Sequence, residues 1–569
     1  MFFLWGCRSY VNVDGGTATR YPMAWSVVET SPDGVPVYLS NGRLGIRIFP
    51  SGFGYKGDGK ELPCFAMMGD VVLRLPSLAG WRIFVDGEEL QFDSKAPYHG
   101  ELSFRNGLWF GVWMGRVNGE RIRVRVESVV HPERALFAQR VEVLCKGGRD
   151  IQIESLFRGG EMVEWGGAQS CRMRMEAIPI SEEEASVLGE RFVVLVRVFH
   201  RWLPSRAWSF SSLGDGWRFT YKGGAGRVVV ERVLDLEHSP EHFEDRGVSS
   251  FDEVLRESER IWDERWRGDI EIDGPIEDQQ VIRSFLFYLY ANGSGKLPPM
   301  GLSDGRYKGH RFWDAEGWML PVYAFLAPAV AREATEWRVG FLRKLARSSL
   351  WLRVPWEMGV AGDQTPPAFR EAIHVGGWVF WWLEQAKALG FIRREDAEDV
   401  QLKIVRFFFV RSIEKGGRFH LLGVVSPDEG RLRDNDLVTN MLAKYCALTA
   451  ASTFVGISEE ERKNLQDFAQ RLVIPMVGAV PATYESDPLM TYQQASALLA
   501  LFPLEWDFGK EINEAMFDRY KDRISPLGPA MSDSIHSVIA ARLGRGEEAY
   551  RYWRRSWEPF LRAWMGYSE

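Results

Sequence analysis

Ser250-Phe251-Asp252-Glu253-Val254-Leu255-Arg256-Glu257-Ser258-Glu259-Arg260-Ile261-Trp262 divides the chain into two parts of different character. Ser250 is placed to cap a helix, and Glu253, three residues on, completes a capping box. Val254, Leu255, Ser258, Ile261 and Trp262 recur at helical spacing, charges crowd the other face, and Gly268 is a natural stop. Before this helix the apolar period is two. Arg121-Ile122-Arg123-Val124-Arg125-Val126-Glu127 alternates strictly, which puts Ile122, Val124 and Val126 on one face of a half-buried strand. Phe192-Val193-Val194-Leu195-Val196-Arg197-Val198 is nearly continuous and β-branched, and reads as a strand buried on both sides. Turn signals such as Val117-Asn118-Gly119 and Gly147-Gly148 separate the runs. Together these predict a large antiparallel β-sandwich over residues 1–245 and a helical linker over 246–275.

From Ile276 onward the period is helical. Val281 to Tyr290, Ala331 to Ala346, Gly376 to Leu389, Asp396 to Ile413, Met531 to Leu543 and Glu547 to Trp557 are predicted helices. Ser458 with Glu461 makes a second capping box, followed by Leu465, Phe468, Ala469 and Leu472 on one stripe. So many helices with unequal loops predict a helical array, such as a toroid of paired helices, over residues 276–569.

The 569 residues exceed one ordinary domain, and 46% hydrophobic with 26% charged residues is normal for a soluble protein. A net charge of −7 and a pI near 5.9 argue against a nucleic-acid binder. The five cysteines are scattered and form no disulfide framework. Met1-Phe2-Phe3-Leu4-Trp5 is too short for a signal peptide, and no run of about twenty apolar residues exists to span a membrane, so a cytoplasmic protein is expected. The nine dispersed histidines suggest no metal, and no phosphate-cradling glycine loop or esterase elbow occurs, so no cofactor is expected. The 23 tryptophans fit either core packing or stacking on sugar rings.

Four polar clusters fall in loops between the predicted helices. They are Gly309 to Glu316, Pro355 to Gly359, Gly423 to Gly430 with Asp434-Asn435-Asp436, and Gln493-Gln494-Ala495-Ser496. In the third, Pro427 ends any regular element and leaves Asp428 and Glu429 on an irregular segment before a helix near Asp434. A carboxyl group there can be partly desolvated, which raises its pKa and suits a general acid. A surface helix cap is the commoner meaning of the same pattern. Trp-Asp and Trp-Glu neighbours in the first two clusters pair an apolar face with hydroxyl acceptors, as a sugar site needs.

At these loops the chain resembles glycoside hydrolase family 65, which contains α-glucoside phosphorylases, acid trehalases and glucosidases of the glucosylgalactosylhydroxylysine type. Val37 to Arg47 resembles the family's opening β-domain signature. Gly309-His310-Arg311-Phe312-Trp313-Asp314-Ala315-Glu316 resembles its Gly-His-x-Phe-Trp-Asp-x-Glu motif, Pro355-Trp356-Glu357 its sugar loop, and Glu371 to Gly377 its Glu-x-His-Val-Asn-Gly segment. Gly423 to Glu429 resembles the loop whose Glu is the general acid. The resemblance implies an N-terminal β-sandwich, a linker helix and an (α/α)6-barrel catalytic domain. It implies Glu429 as acid, sugar contacts from Trp313, Asp314, Trp356, Glu357, Gln493 and Gln494, a small carbohydrate as substrate, and often a homodimer. Gln493 stands where the family has Lys, Ser496 where it has Asp, Gly376 where it has Asn, and Gly430-Arg431 where it has Tyr-His. The resemblance stops at Glu569, short of the family's closing barrel helix and C-terminal β-domain.

Both activities in that family invert the anomeric centre. A hydrolase needs a second carboxylate, about 6.5–9.5 Å from the acid, to activate water. A phosphorylase needs anion donors instead, such as hydroxyls and amides at a helix start. Leu527 to Ser532 resembles the hydrolases' Gly-Pro-Ala-Met stretch, and Glu558 to Glu569 their segment ending in the base, which makes Glu569 the expected base and Asp533 and Glu485 the reserves. Ser532 and Ser534 are the phosphate ligands if the enzyme is a phosphorylase, although Asp533 between them repels an anion. The expected function is an inverting α-glucoside hydrolase. The alternatives are an inverting phosphorylase and a carbohydrate-binding protein weakened in catalysis.

Overall fold

The computed structural model describes residues 22–31, 34–55, 60–165, 169–213, 215–222, 226–237, 250–429, 431–526, 528 and 531–561. Among these, residues up to 293 together with 300–309 form one contact unit, and 294–299 together with 310–561 form a second.

The first unit is a β-structure of two antiparallel sheets, one of fourteen strands and one of five. The alternating stretch forms strand Glu120–Val130, in register between Trp109–Val117 (Val124 opposite Trp113) and Leu136–Leu144 (Val124 opposite Val143). Ile122, Val124 and Val126 are all buried, as their period-two placement requires. The five-stranded sheet contains Gly80–Val85, Ile151–Leu156 and Gly216–Tyr221. A polar seam joins the sheets: the Trp81 indole donates to Gln139 Oε1 (2.7 Å), and the buried Arg232 guanidinium donates to Ser155 Oγ (3.0 Å) and the Gly80 carbonyl (3.1 Å). A guanidinium without a carboxylate is costly to bury, and desolvation draws Arg232 down to about 9.

Strand Phe192–Leu203 departs from the expectation of burial on both faces. Val194, Val196 and Val198 are buried, but Val193 is 48% exposed and Leu195 only half-buried. Its β-branched run reflects strand propensity; this strand is covered on one side only.

Helix α1 (Glu182–Leu188) interrupts the strands, and α2 (Phe251–Arg265) follows them. Both bonds of the α2 capping box form: Ser250 Oγ accepts from Glu253 N (3.4 Å), and Glu253 Oε2 accepts from Ser250 N (3.1 Å). Such a cap stabilises a helix by about 1 kcal/mol. Phe251 and Val254 pack with Val129, Leu136, Ala138 and Val233, which seats the helix on the large sheet. Helix α3 (Ile276–Asn292) also belongs to this unit.

The second unit is helical. It holds α4 (Leu320–Leu326), α5 (Pro328–Leu345), α6 (His374–Ala388), α7 (Arg394–Arg411), α8 (Leu437–Thr453), α9 (Glu459–Arg471), α10 (Lys510–Tyr520), α11 (Met531–Arg542) and α12 (Gly546–Trp557). Successive helices pack on one another: α4 on α5, α6 on α7, α8 on α9, α11 on α12. Leu465, Phe468, Ala469 and Leu472 are buried as one stripe of α9, and Ser458 caps it through Glu461 N (3.1 Å). Short hairpins, legible only in three dimensions, punctuate the loops. One of them, Val424–Val425 with Leu432–Arg433, brackets the Pro427-Asp428-Glu429 segment, which is therefore a hairpin tip. No described helix is long and apolar enough to cross a membrane.

Candidate active site

The first polar cluster is held by a buried charge cluster. Arg311 is fully buried and donates to Glu316 Oε1 (2.7 Å) and to the Ala334 carbonyl (2.7 Å). Arg338, from α5, puts its Nε 3.3 Å from the same glutamate oxygen. Two guanidinium groups thus share one carboxylate out of water, and desolvation lowers both, Arg338 to about 10. Glu316 sits in a π-helical turn, Ala315–Met319, and Asp314 stands half-buried at its start. Such turns are uncommon and are found disproportionately at functional sites. Trp313 is 2% exposed; its ring stacks on Trp378 of α6 (5.9 Å between centroids, 21°) and meets His374 edge-on (5.3 Å). Burial pushes the His374 imidazole down to about 3, so it is neutral at physiological pH.

The second cluster is stitched to the first by backbone. Arg311 N donates to the Met358 carbonyl (2.9 Å) and Met358 N to the Arg311 carbonyl (3.0 Å). Glu357 Oε1 lies 2.7 Å from Nδ1 of the buried His310, and the Trp356 and Glu357 amides donate to Thr365 Oγ1 (3.0 and 3.3 Å). Trp356 is half-buried, stacked on Phe369 (4.1 Å, 8°) and edge-on to Phe312 (5.0 Å).

The third cluster joins the same surface where Val425 N donates to the Glu371 carbonyl (2.9 Å). At the hairpin tip Ser426 Oγ accepts from Asp428 N (3.1 Å), and the Ser426 carbonyl accepts from Glu429 N (2.9 Å). Glu429 is half-buried, with φ of +56°. That left-handed conformation costs a non-glycine residue about 1–2 kcal/mol, which its surroundings must offset. Asp428 reaches across to the fourth cluster: its Oδ1 accepts from the backbone amides of both Gln493 and Gln494 (the latter 3.3 Å). Burial lifts Asp428 to about 6, against the pull of these two amides and of Arg433 and Arg431. Asp436 caps α8 by accepting from Thr439 N (2.8 Å) and Oγ1 (2.7 Å); burial, helped by the charge of Asp428, lifts it to about 6 as well.

Gln494 is buried and Gln493 exposed. The fourth cluster leads to α11. Tyr492 N donates to the Arg523 carbonyl (2.8 Å) and Ser525 N to the Tyr492 carbonyl (2.7 Å). A Cβ at Gly528 would lie 2.1 Å from the Gln493 carbonyl oxygen, so only glycine fits there. Ser532 is buried in the first turn of α11, and Ser534 is exposed, its hydroxyl donating to the Met531 carbonyl (2.6 Å). Asp533 pairs with Arg555 (3.2 Å) and faces His536 (3.3 Å). Glu485 is exposed and accepts from Asn435 (2.5 Å). Glu569, Gly430, Leu527, Pro529 and Ala530 lie outside the described residues.

The four clusters therefore form one continuous series of direct contacts within the helical unit: 311 with 358, 356 with 369, 371 with 425, 428 with 493 and 494, and 493 with 528. No sequence motif flagged Arg338 or Phe369, and His374, Asp428 and Asp436 stood in the quoted stretches with no partner assigned to them. Arg338 did leave a signal, because it interrupts the apolar stripe of Ala331, Ala334 and Leu342 on α5.

Residues 285–476 match the glycosyl hydrolase family 65 central catalytic domain. Over 411 residues the chain is 28% identical to a kojibiose hydrolase from Mucilaginibacter mallensis, covering 68% of this chain and 60% of the relative. It is 26% identical over 374 residues to a protein-glucosylgalactosylhydroxylysine glucosidase from Danio rerio (59% and 57%), and 25% identical over 412 residues to a kojibiose phosphorylase from Halothermothrix orenii (58% and 52%). The chain thus matches between about half and 60% of the length of these relatives. Its fold is shared with a putative kojibiose phosphorylase from the human microbiome, with a TM-score of 0.74 at 16% identity, covering 94% of this chain and 85% of the other.

Proposed function

We propose that this chain, whose residues 285–476 carry the central catalytic domain of glycosyl hydrolase family 65, is an inverting α-glucoside hydrolase with Glu429 as its general acid. The observation that carries this reading is the Ser426–Glu429 turn. A half-buried glutamate is held at the tip of a hairpin, in a left-handed conformation, by a neighbour bonded to the loop that bears Gln494. A carboxyl group so placed can donate a proton to the glycosidic oxygen of a bound substrate. Asp314 is the acceptor for glucose hydroxyls. Trp356 and Glu357 line the same subsite, with Trp313 supporting it from behind through its stack on Trp378. The helical unit is read as an (α/α)6 barrel, in keeping with the pairwise packing of its helices. Glu569 is the base that activates water, on the strength of its flanking sequence.

A second reading, phosphorolysis, is favoured by one feature. Ser532 Oγ is buried in the first turn of α11 with no hydrogen-bond partner among the described residues. A helix start with a spare hydroxyl suits an anion.

Kojibiose and trehalose are the substrates to try first, with glucose release followed with and without inorganic phosphate. The hydrolase reading expects phosphate-independent release of β-glucose as the first anomer seen by NMR. It expects Glu429→Gln to lose at least about 10²-fold in turnover, the usual worth of general acid catalysis. Strict phosphate dependence transfers the assignment to the phosphorylase, and near wild-type turnover by Glu429→Gln ends it for both. Glu569→Gln, rescued by azide, tests the base.

A further inference from the structure

We propose that Asp428 is a positioning residue that aims Glu429, by latching the acid-bearing turn to the Gln493–Gln494 backbone. The inference rests on Glu429 being the general acid.

The turn needs such a latch. The hairpin beneath it has two residue pairs, Val424 with Arg433 and Val425 with Leu432, far fewer than an independently stable hairpin requires. Its tip carries Glu429 in the left-handed region, a conformation that persists only where the surroundings impose it. The two bonds inside the turn, Asp428 N to Ser426 Oγ and Glu429 N to the Ser426 carbonyl, set its local shape, and Val425 N to the Glu371 carbonyl ties the first strand of the hairpin to the Glu371 loop, but none of these ties the tip to the Gln493–Gln494 segment. Asp428 supplies that. One carboxylate oxygen accepts from two consecutive backbone amides, Gln493 and Gln494, 65 and 66 residues away. Bonds from amides to a carboxylate are roughly twice as strong as neutral ones.

The latched segment is itself fixed. The Gln493 carbonyl abuts Gly528, and Tyr492 exchanges backbone bonds with Arg523 and Ser525. The acid turn, the Gln493–Gln494 loop and Gly528 are thus tied together by direct contacts. Several other groups act on the Asp428 charge. Arg431 and Arg433 flank it on its own hairpin, Asp436 stands at the cap of α8, and Tyr484 lies on the segment after Val480–Pro481. The arginines favour the charged latch and Asp436 opposes it.

A misaimed acid harms protonation of the leaving oxygen and little else. Asp428→Ala should therefore lose about 10–100-fold in kcat on an α-glucosyl disaccharide, with KM changed less than about 3-fold. It should lose less than about 3-fold on α-glucosyl fluoride, whose leaving group needs little protonation. Asp428→Asn keeps an acceptor oxygen and should restore most of the disaccharide activity. If Asp428→Ala does not fold, Asp428→Ser, whose hydroxyl is one bond shorter than the carboxylate, reads the same ratio. Glu429→Gln run in parallel separates the two claims. A silent Glu429→Gln overturns the acid assignment and the latch with it. A Glu429→Gln that selectively loses the disaccharide, beside an Asp428 variant that is silent or loses both substrates equally, overturns the latch alone.

Discussion

Removing the Glu316 carboxylate is the sharpest perturbation this structure offers. Glu316 is fully buried, 2.7 Å from Arg311 and 3.3 Å from Arg338, both of which are themselves buried. Glu316→Ala leaves two guanidinium groups out of water with no counter-charge. Breaking a buried pair in this way costs about 3–5 kcal/mol. The figure belongs at the upper end here, because each guanidinium also repels the other: Arg338 is already lowered to about 10 with the carboxylate present, and Arg311 is among the causes. At roughly 2–4 °C per kcal/mol for a domain of this size, the melting temperature should fall by about 6–20 °C. Glu316→Gln keeps an acceptor oxygen and should fall less. Because the same cluster holds the turn that carries Trp313 and Asp314, sugar binding should weaken in parallel. Calorimetric unfolding of wild type and both variants at one pH, with glucose titrations on the folded proteins, measures both effects. A drop below about 2 °C for Glu316→Ala, with glucose affinity unchanged, would refute the argument that this cluster holds the turn.

Asp436 is lifted by burial to about 6, whereas an unfolded aspartate titrates near 4. The folded state therefore binds more protons between those values, and stability from this group is lost as pH rises from about 4 to about 6. Asp436→Asn, which can still cap α8 by accepting from Thr439, should flatten that part of the stability–pH curve; an unchanged slope by urea denaturation at pH 4, 5, 6 and 7 would count against it. Asp314→Ala should weaken glucose binding by about 10–100-fold, equivalent to one charge-assisted bond of about 1.5–3 kcal/mol, and calorimetry showing wild-type affinity would remove Asp314 from the subsite.

Much of the architecture was written locally. Both bonds of the Ser250–Glu253 box form because the two residues are near neighbours in the chain; at Ser458 and Glu461 one of the two forms, the Ser458 hydroxyl accepting from the Glu461 amide. Ile122, Val124 and Val126 are buried because a strand's side chains alternate whatever it packs against. The motif loops could be picked out because carboxylates, tryptophans and a proline crowd into a few residues between helices. Periodicity said less about coverage. Phe192 to Val198 carries the same residue types whether one face or two are buried, and the count of faces depends on how the second sheet lies, so Val193 came out exposed.

What depended on tertiary structure is how the loops meet. The sequence by itself determined a β-rich first part, a capped helix after it, a helical remainder, and the loops where carboxylates and tryptophans gather. Only the folded chain decided that Arg311 bridges Met358, that Arg338 reaches Glu316, that Trp313 spends its face on Trp378, and that Asp428 grips the amides of Gln493 and Gln494. The physical reason is range. Capping, turn and alternation energies act over a few residues and leave a trace in their spacing. The desolvation that lifts Asp428 and lowers Arg338, and the bonds that offset it, come from residues tens of positions away that share a neighbourhood only once the core has closed.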